Sequence, residues 1–504
     1  MFKKLMAEKK SFNGKRTLLI ITVVILASMA LTSILPADIS EYGAVSLLPA
    51  IFLIIYIFAT QRILEALVLA SIIGFIMVSR PATMGGDGNW LTNTFNNFSD
   101  GLLGVMMSED IAWLIIVCGL MGSIISLIER AGGSYAFGEW IANKARTRKS
   151  SLMWTWVLGV VIFIDDYLNS LTVGSCMTSL TDKHKVPREF LAYVVDSTAA
   201  PLCVIIPIST WALLCSRILE SNNWAPAGEG LLYFIKTIPY NFYGWVAFLV
   251  VPLVILGIIP IFGPMKKAFA RVEEGGPLAP EGSEKIDIRA GKSAYVPENP
   301  KVSNLFLPIG VLVGSTIVLD FDMQLGVIVT MAFMFVSYMF QGVMTAEDFA
   351  DVSLEGLKNM MMPLMLMILA FLFADVNKQI HFTYYVITTA TEIVTPQLMP
   401  FIVFIALAIT EFITGTNWGM YIIALPIIIP LAQATGCDVT LAVSAVLSAG
   451  VFGSHICFYS DATVITSAAT GCNNFDHALT QAPFGLLCAG ISAICFLVVG
   501  FAFQ

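Results

Sequence analysis

Two adjacent carboxylates, Asp165 and Asp166, stand inside the apolar stretch FIDDYLNSLTVG (163–174). A charge at the centre of a bilayer costs roughly 2.5–3.5 kcal/mol on insertion scales, so acids placed there are expected to serve a function. Two adjacent acids in a poorly solvated site repel each other, which favours proton uptake by one of them. The pair could therefore exchange a bound cation for one or two protons. The alternative is that the two acids cap the next helix at a lipid–water boundary.

Three further segments place Gly, Pro or small polar residues inside apolar runs. They are VDSTAAPLCVIIPIST (195–210), ITGTNWG (413–419) and FGSHICFYSDATVITS (452–467). Broken backbone at membrane depth is tolerated only where it lines a cavity or is packed in protein. Secondary transporters are commonly built from inverted repeats whose broken helices bind substrate and coupling ion. The four breaks therefore predict a transport site.

The oxygen-bearing side chains of the breaks are the hard ligands that a small alkali cation prefers. The predicted ion ligands are Asp165, Asp166, Asn169, Thr414, Thr416 and Asn417, with the first three forming the Na⁺ site. The predicted substrate-binding residues are Asp196, Ser197, Thr198, Ser460, Asp461 and Thr463. The predicted proton-coupling residues are Asp166, His455 and Asp461. The alternatives are helix caps for the Asp196 and Thr416 segments and a structural, hydrogen-bonded role for His455.

The composition indicates a chain that is solvated mainly by lipid. Of its 504 residues 57% are hydrophobic and only 12% are charged, against about 25% charged in soluble domains. Runs such as 17–35, 111–128 and 245–262 approach the roughly 20 apolar residues that cross a bilayer core. The predicted fold class is an all-α polytopic membrane protein.

Two weakly similar halves flank one long polar segment, which is rich in Pro, Gly and both charge signs and is predicted to be a solvated cytoplasmic linker. Residues 98–132 correspond to 349–380 and residues 163–174 to 412–426, at offsets of 251 and 249 residues. The predicted domains are an N-terminal cytoplasmic segment with the first span (1–43), repeat 1 (44–263), the linker (264–302) and repeat 2 (303–504).

Basic residues orient the repeats, because loops rich in Lys and Arg stay in the cytoplasm. Such clusters occur at Lys3–Arg16, Lys144–Lys149 and Lys183–Arg188. Residues 150–181 have basic flanks at both ends, which suits a hairpin that enters the membrane and returns. We predict re-entrant hairpins at about 151–181 and 397–433, repeats of inverted topology and about 11 spans. The expected location is the bacterial inner membrane, with a cytoplasmic N-terminus.

At these residues the sequence resembles the NhaC-type Na⁺/H⁺ antiporter family of the ion-transporter superfamily. The matching segments are 119–140, 163–174, 190–211, ITGTNWG and FGSHICFYSDATVITSAATGC. The resemblance places Asp165, Asp166, Asn169, Asp196, Ser197, Thr198, Thr416, Asn417, His455 and Asp461 on the family's polar motif positions. The wider superfamily implies a homodimer. This chain departs from the family at Ser454, where an acid is usual, and at the bulky Phe458 and Tyr459.

The leading prediction is a cation-coupled secondary active transporter, first of all a Na⁺/H⁺ antiporter that works by alternating access. Its expected partners are small ions or a small solute and the lipid bilayer, with Na⁺ transported or coupling and no organic cofactor. The alternative is Na⁺-coupled transport of a small amino acid or organic acid, which the missing acid at Ser454 favours. The sequence contains no phosphate-binding loop, no paired nucleophile and base and no nucleic-acid footprint, so we expect neither an ATP-driven pump nor an enzyme.

Overall fold

The structure is a computed structural model that describes most of the chain. The described residues are 14–36, 38–60, 63–81, 89–142, 144–283, 300–319, 322–390, 394–414, 418–458 and 460–502. All regular secondary structure in these ranges is helical, which confirms the predicted all-α class.

The chain forms two compact units. The first unit comprises Met1–Met107 and Ile368–Thr388, and the second comprises Ser108–Met367 and Thr389–Gln504. Helices of the first unit are α1 (Gly14–Ser33), α2 (Leu48–Thr60), α3 (Ile63–Val78) and α4 (Trp90–Met106). Helix α18 (Met361–Gln379) begins in the second unit and ends in the first, and α19 (Phe382–Ala390) follows it.

The second unit contains every described residue of the predicted site. Its helices before the predicted linker are α5 (Glu109–Arg130), α6 (Gly133–Ala142), α7 (Arg148–Val161), α8 (Asp166–Lys183), α9 (Arg188–Asp196), α10 (Ala200–Cys203), α11 (Thr210–Ser221), α12 (Gly230–Thr237) and α13 (Phe242–Leu256). Helix α14 (Gly263–Glu273) lies in the linker. The later helices are α15 (Ser303–Val318), α16 (Met323–Gln341), α17 (Ala346–Asn359), α20 (Met399–Thr414), α21 (Trp418–Thr435), α22 (Val439–Ile456), α23 (Asp461–Thr470) and α24 (Asn474–Ala502).

Several helices have the length and apolarity that a bilayer crossing requires. Within the described ranges four single helices do so, at Ile111–Arg130, Met323–Gln341, Val439–Ile456 and Asn474–Ala502. A fifth candidate is the pair Gly230–Tyr240 and Phe242–Leu256, which is bent by 55°. Other apolar helices are shorter, so the predicted count of about 11 spans stays a prediction.

Each of the four predicted polar breaks interrupts or ends a helix. Residues 162–165 separate α7 from α8, and residues 197–209 separate α9 from α11 apart from the single turn of α10. In the second half α20 ends at Thr414 before α21 begins at Trp418, and residues 457–460 separate α22 from α23. The two predicted hairpins thus coincide with the helix pairs α7–α8 and α20–α21. Their re-entry into a membrane stays a prediction.

The two halves keep the same register along the chain. Helix α21 begins and ends 252 residues after α8 (418 − 166 and 435 − 183), and α23 begins 251 residues after α11 (461 − 210). Their packing is also reciprocal, since α8 lies against α23 and α21 lies against α11. In the same way α7 packs on α9 and α20 packs on α22. This correspondence is what two related repeats produce.

The first part of the predicted linker is packed rather than solvated. Helix α14 buries Met265, Ala268, Phe269 and Val272, which follow the i, i+3, i+4, i+7 spacing of one helix face. Arg271 on the same helix binds Glu189 of α9 through two hydrogen bonds of 2.7 and 2.8 Å. The domain boundaries of the sequence analysis stay predictions.

Candidate functional site

Asp165 caps α8 from inside the protein. Its Oδ1 accepts hydrogen bonds from the backbone N–H groups of Tyr167 and Leu168, each at 3.0 Å. Its Oδ2 accepts a third from the Thr210 hydroxyl, also at 3.0 Å. The residue is only 1% exposed. Asp165 therefore caps α8, but it does so inside the protein and not at an exposed boundary. Its second carboxylate oxygen binds Thr210, the first residue of α11.

Asp166 is fully buried in the first turn of α8. Its Oδ1 accepts a hydrogen bond from Trp211 Nε1 at 3.2 Å. The indole of Trp211 packs edge-on against the ring of Tyr421 on α21, with centroids 5.5 Å apart. The two carboxylates of the pair are thus held by consecutive residues, Thr210 and Trp211, at the N-terminus of α11. The first two polar breaks meet at this point.

Asn169 ties the same two breaks together through their backbone. Its Nδ2 lies 2.7 Å from the carbonyl oxygen of Gly159, 2.9 Å from that of Ile162 and 2.8 Å from that of Thr198. These carbonyls belong to the end of α7 and to the irregular segment after α9. Among the residues that the structure describes, the buried Asn169 Oδ1 meets no hydrogen-bond partner. A buried amide oxygen in this condition is a suitable ligand for a hard cation.

The predicted substrate triplet Asp196-Ser197-Thr198 divides between two places. The carbonyl of Thr198 faces Asn169, next to the carboxylate pair. Ser197 Oγ instead lies 2.8 Å from His455 Nε2, and Asp196 Oδ2 accepts a hydrogen bond from Gln481 Nε2 at 2.8 Å. The structure therefore joins Thr198 to the predicted Na⁺ ligands and joins Asp196 and Ser197 to a second polar cluster.

His455, a predicted proton-coupling residue, lies in this second cluster at the end of α22. Its Nδ1 lies 2.8 Å from the Tyr243 hydroxyl on α13. The Ser197 hydroxyl that faces its Nε2 also donates to the Tyr193 carbonyl at 2.7 Å. Because that hydroxyl has one hydrogen, Ser197 accepts from Nε2–H and Tyr243 donates to Nδ1. Both ring nitrogens are satisfied in neutral His455, as the structural alternative expects.

The fourth break uses its hydroxyl groups to begin α23. Ser460 Oγ accepts from the Thr463 backbone N–H at 3.2 Å and donates to the Ser454 carbonyl at 2.6 Å. Thr463 Oγ1 donates to the same carbonyl at 3.2 Å. Farther along α23, the Thr466 hydroxyl donates to Ser170 Oγ of α8 at 2.8 Å. Ser460 thus caps α23 and Thr463 binds a carbonyl in the last turn of α22, while the predicted substrate role of both residues stays a prediction.

Four predicted ligands fall outside what the structure describes. Thr416 and Asn417 lie outside the described residues, as do the side chains of Thr414 and Asp461. Their roles in ion binding, substrate binding and proton coupling stay predictions. The backbone nonetheless places position 461 at the first turn of α23.

Sequence reasoning missed two residues of the second cluster, His477 and Gln481. His477 Nδ1 lies 2.8 Å from Ser467 Oγ, and its Nε2 lies 2.9 Å from Gln481 Oε1. Both residues are fully buried. The available signal was their spacing, because a His and a Gln four positions apart share one face of the otherwise apolar α24.

The ligand set suits an alkali cation better than a transition metal. Among the described residues no group of three His, Cys, Asp or Glu side chains converges as a metal centre. The carboxylates of Asp165 and Asp166 and the amide oxygen of Asn169 lie within five consecutive residues at the start of α8, and such hard donors are the kind that Na⁺ prefers.

The fold of this chain also occurs among solved transporter structures. The YdaH transporter of Alcanivorax borkumensis superposes with a TM-score of 0.50 at 11% sequence identity, covering 82% of this chain and 90% of that one. A likeness at this identity concerns the fold alone. It supports the polytopic architecture.

Two curated relatives share sequence with the chain. An uncharacterized protein of Haemophilus influenzae is 26% identical over 497 residues, which cover 91% of each chain. A malate-2H⁺/Na⁺-lactate antiporter of Bacillus subtilis is 29% identical over 112 residues, 22% of this chain and 24% of that protein. The model of the Na⁺/H⁺ antiporter family matches residues 227–501, more than half of this chain. The protein is a membrane transporter that belongs to the Na⁺/H⁺ antiporter family.

Proposed function

We propose that the protein is a secondary active transporter that exchanges Na⁺ for H⁺ by alternating access. The observation that carries the proposal is the burial of Asp165 and Asp166 beside Asn169, where two breaks in the helices meet. Two adjacent carboxylates in such a place repel each other, and a positive charge bound between them relieves that repulsion. A cation or a proton can supply that charge, and competition between them is the basis of exchange.

The proposed Na⁺ ligands are carboxylate oxygens of Asp165 and Asp166 together with Asn169 Oδ1. All three are oxygen donors of the kind that hard cations prefer. Two further features support an anionic site there. The pair lies at the N-terminus of α8, whose dipole favours negative charge, and Trp211 Nε1 and the Thr210 hydroxyl donate to it.

The reciprocal packing of the two halves supports alternating access. Helix α8, the second helix of the first hairpin, lies against α23 of the second half. Helix α21, the second helix of the second hairpin, lies against α11 of the first half. Transporters with such repeats move one bundle against another around a fixed site. We further propose that the protein resides in the bacterial inner membrane with its N-terminus in the cytoplasm, functions as a homodimer, uses no organic cofactor and is not an enzyme.

The test is transport by the purified protein in liposomes that contain a pH-sensitive dye. An imposed Na⁺ gradient is expected to drive counterflow of protons in wild type. Asp166→Asn is expected to abolish this flux, whereas the control Asp351→Asn, an exposed acid on α17, retains it. A wild-type protein without Na⁺-dependent proton flux, or an Asp166→Asn variant with normal flux, would refute the proposal.

A second candidate is Na⁺-coupled transport of a small organic acid or amino acid. The observation that favours it is Ser454, at a position where the resembled family usually has an acid. Its buried Oγ has no hydrogen-bond partner within the described part of the chain. The partial relative from Bacillus subtilis, which is named for malate and lactate exchange, points to the same class of solute. Uptake of labelled malate, lactate or an amino acid that follows the Na⁺ gradient without proton counterflow would favour this candidate.

A further inference from the structure

A second polar cluster is completely enclosed by protein and has no role in the proposed Na⁺ site. Besides Ser197 and His455 it contains the side chains of Asp196, Ser467, His477 and Gln481, and each of these four has no exposed surface. These side chains come from α9, α23 and α24. A buried imidazole beside a buried carboxylate is a costly arrangement unless both groups are hydrogen-bonded or carry compensating charges.

The orientation of Gln481 fixes a hydrogen on one nitrogen of His477. Gln481 Nε2 donates to Asp196 Oδ2 at 2.8 Å and also to the backbone carbonyl of His455. An ionised carboxylate and a carbonyl only accept, so the amide cannot be turned around without losing both bonds. Gln481 Oε1 therefore faces His477 Nε2 at 2.9 Å. Because an amide oxygen only accepts, Nε2 carries a hydrogen.

The other nitrogen of His477 faces a hydroxyl that has two possible acceptors. Ser467 Oγ lies 2.8 Å from His477 Nδ1 and 3.1 Å from Asn474 Oδ1. The orientation of Asn474 is itself fixed, since its Nδ2 donates to the Phe458 carbonyl at 2.5 Å. If the Ser467 hydrogen points to Nδ1, His477 is neutral. If it points to Asn474 Oδ1, Nδ1 donates to Ser467 Oγ and His477 is an imidazolium.

His477 can thus take up a proton at Nδ1 with no change except rotation of one hydroxyl. Asp196 Oδ2 lies 3.6 Å from Nε2 and supplies the opposite charge. His455 differs, because protonation of its Nδ1 would turn the Tyr243 hydroxyl from donor to acceptor, and the described residues offer the Tyr243 hydrogen no second acceptor such as Asn474 offers Ser467. The elements packed against α24 also carry titratable groups. They are Arg188, Glu189, Tyr193 and Asp196 on α9, Tyr243 on α13, Lys266, Lys267, Arg271 and Glu273 on α14, Glu411 on α20, His455 on α22 and Asp461 on α23, with Asp476 on α24 itself.

We propose that His477, with Asp196 as its counter-charge, is a second proton-binding residue of the exchange cycle, on which exchange depends in addition to the carboxylate pair at which protons compete with Na⁺. The role of His477 in transport rests on the proposed Na⁺/H⁺ exchange, whereas its ability to bind a proton does not. The binding step adds one proton to the Nδ1 lone pair and breaks no covalent bond. The turn 196–198 connects this cluster to the Na⁺ site, since Asp196 faces Gln481 and the Thr198 carbonyl faces Asn169. A proton on His477 is therefore placed to alter the geometry of the cation ligands.

The transport test uses His477→Gln and compares two modes in the same liposomes. Na⁺/H⁺ exchange is expected to fall at least 100-fold, while Na⁺/Na⁺ exchange, which moves no proton, stays within about threefold of wild type. The control His381→Gln changes an exposed histidine of the other unit and is expected to alter neither mode. Normal Na⁺/H⁺ exchange in His477→Gln would overturn the assignment, as would equal loss of both modes.

A second measurement does not depend on transport. The chain has four histidines, so ¹⁵N NMR of histidine-labelled protein can follow each ring, with His477→Gln assigning the signal. In wild type the His477 ring is expected to change from the Nε2–H neutral form to imidazolium as the pH falls from 8 to 3. Asp196→Asn is expected to shift that midpoint down by at least one pH unit. A His477 ring that stays neutral throughout would overturn the inference. Absence of Na⁺-driven proton flux in wild type would instead refute the proposed exchange, so the two failures can be told apart.

Discussion

Gly159 on α7 lies directly against the side chain of Thr198, so that a Cβ at position 159 would overlap with Thr198 Oγ1. A similar close contact occurs in the second half between Glu411 on α20 and Gly453 on α22, where a Cβ on the glycine would overlap with Glu411. Gly159 and Glu411 lie 252 residues apart (411 − 159), so the first helix of each hairpin makes its contact from the same place.

Gly159→Ala is expected to displace Thr198 and with it the carbonyl that faces Asn169. Overpacking of this kind costs about 1–3 kcal/mol, and we expect Na⁺ affinity to fall at least tenfold because the ligand geometry moves. The matched control is Gly314→Ala on α15, where nothing lies within 4 Å of the added Cβ. Measurement of Na⁺-dependent flux and of the thermal midpoint in detergent tests both effects. Equal behaviour of the two variants would contradict the prediction.

Two substitutions at Asp165 separate its capping role from its charge. Asn accepts the backbone N–H bonds of a cap as well as Asp does, and the Thr210 hydroxyl can turn to accept from the new amide. Asp165→Asn should therefore keep its thermal stability while Na⁺/H⁺ exchange falls sharply. Asp165→Ala loses the cap, about 1 kcal/mol, and strands the buried Thr210 hydroxyl, about 1–3 kcal/mol, so it should also unfold at lower temperature. An active Asp165→Asn variant would remove this carboxylate from the Na⁺ site.

The positions of the breaks could be predicted from sequence because each is a local departure from an apolar pattern. The 249–251-residue offset between halves likewise appears in the structure as helices that start 251 or 252 residues apart. The pairing of Asp165 and Asp166 with Asn169 follows from their nearness on one helix. These are short-range relationships, which composition and spacing determine well.

The second cluster could not be predicted from sequence, because it depends on the directions in which side chains and carbonyls of successive residues point at the end of a helix. Asp196 and the Thr198 carbonyl are two positions apart, yet they face different clusters. The partner of Asp196 is Gln481, which lies 285 residues away along the chain. No local pattern specifies such a contact. For Asp165, a capping role also does not exclude the proposed ligand role, because the residue caps α8 and is still one of two adjacent carboxylates.

Arg271 is expected to hold α14 against α9 through the buried Glu189. Removing one partner of such a pair leaves an uncompensated buried charge and costs about 3–5 kcal/mol, so Arg271→Ala should unfold at a clearly lower temperature. The double variant with Met at both positions should recover most of the loss, because an apolar pair of similar volume is often neutral.

The stabilisation by this pair should not vary across the usual pH range. The hydrogen bond to Glu189 raises the pKa of Arg271 above its ordinary value, and a raised pKa of a base gives stability that is present below the unfolded pKa and lost only above it. The difference in thermal midpoint between wild type and Arg271→Ala should therefore be the same at pH 6 and pH 9. A difference that fades at pH 9 would contradict this account.

Trp211→Phe should make the carboxylate pair bind protons more tightly. The indole N–H donates to Asp166 Oδ1 and stabilises the ionised acid, so its removal favours the protonated form. Phe keeps an aromatic ring against Tyr421. A hydrogen bond to a charged group contributes about 1.5–3 kcal/mol, and 1.36 kcal/mol corresponds to one pH unit.

We therefore expect the pH of half-maximal Na⁺ transport to rise by about one unit in this variant, because protons compete with Na⁺ at higher pH. The matched control is Trp156→Phe, which removes an indole hydrogen bond of the same 3.2 Å length to the uncharged carbonyl of Phe248. That variant should keep the wild-type pH profile. A shift of equal size in both would mean that lost packing is responsible, whereas a shift to lower pH in Trp211→Phe would mean that the indole does not stabilise ionised Asp166.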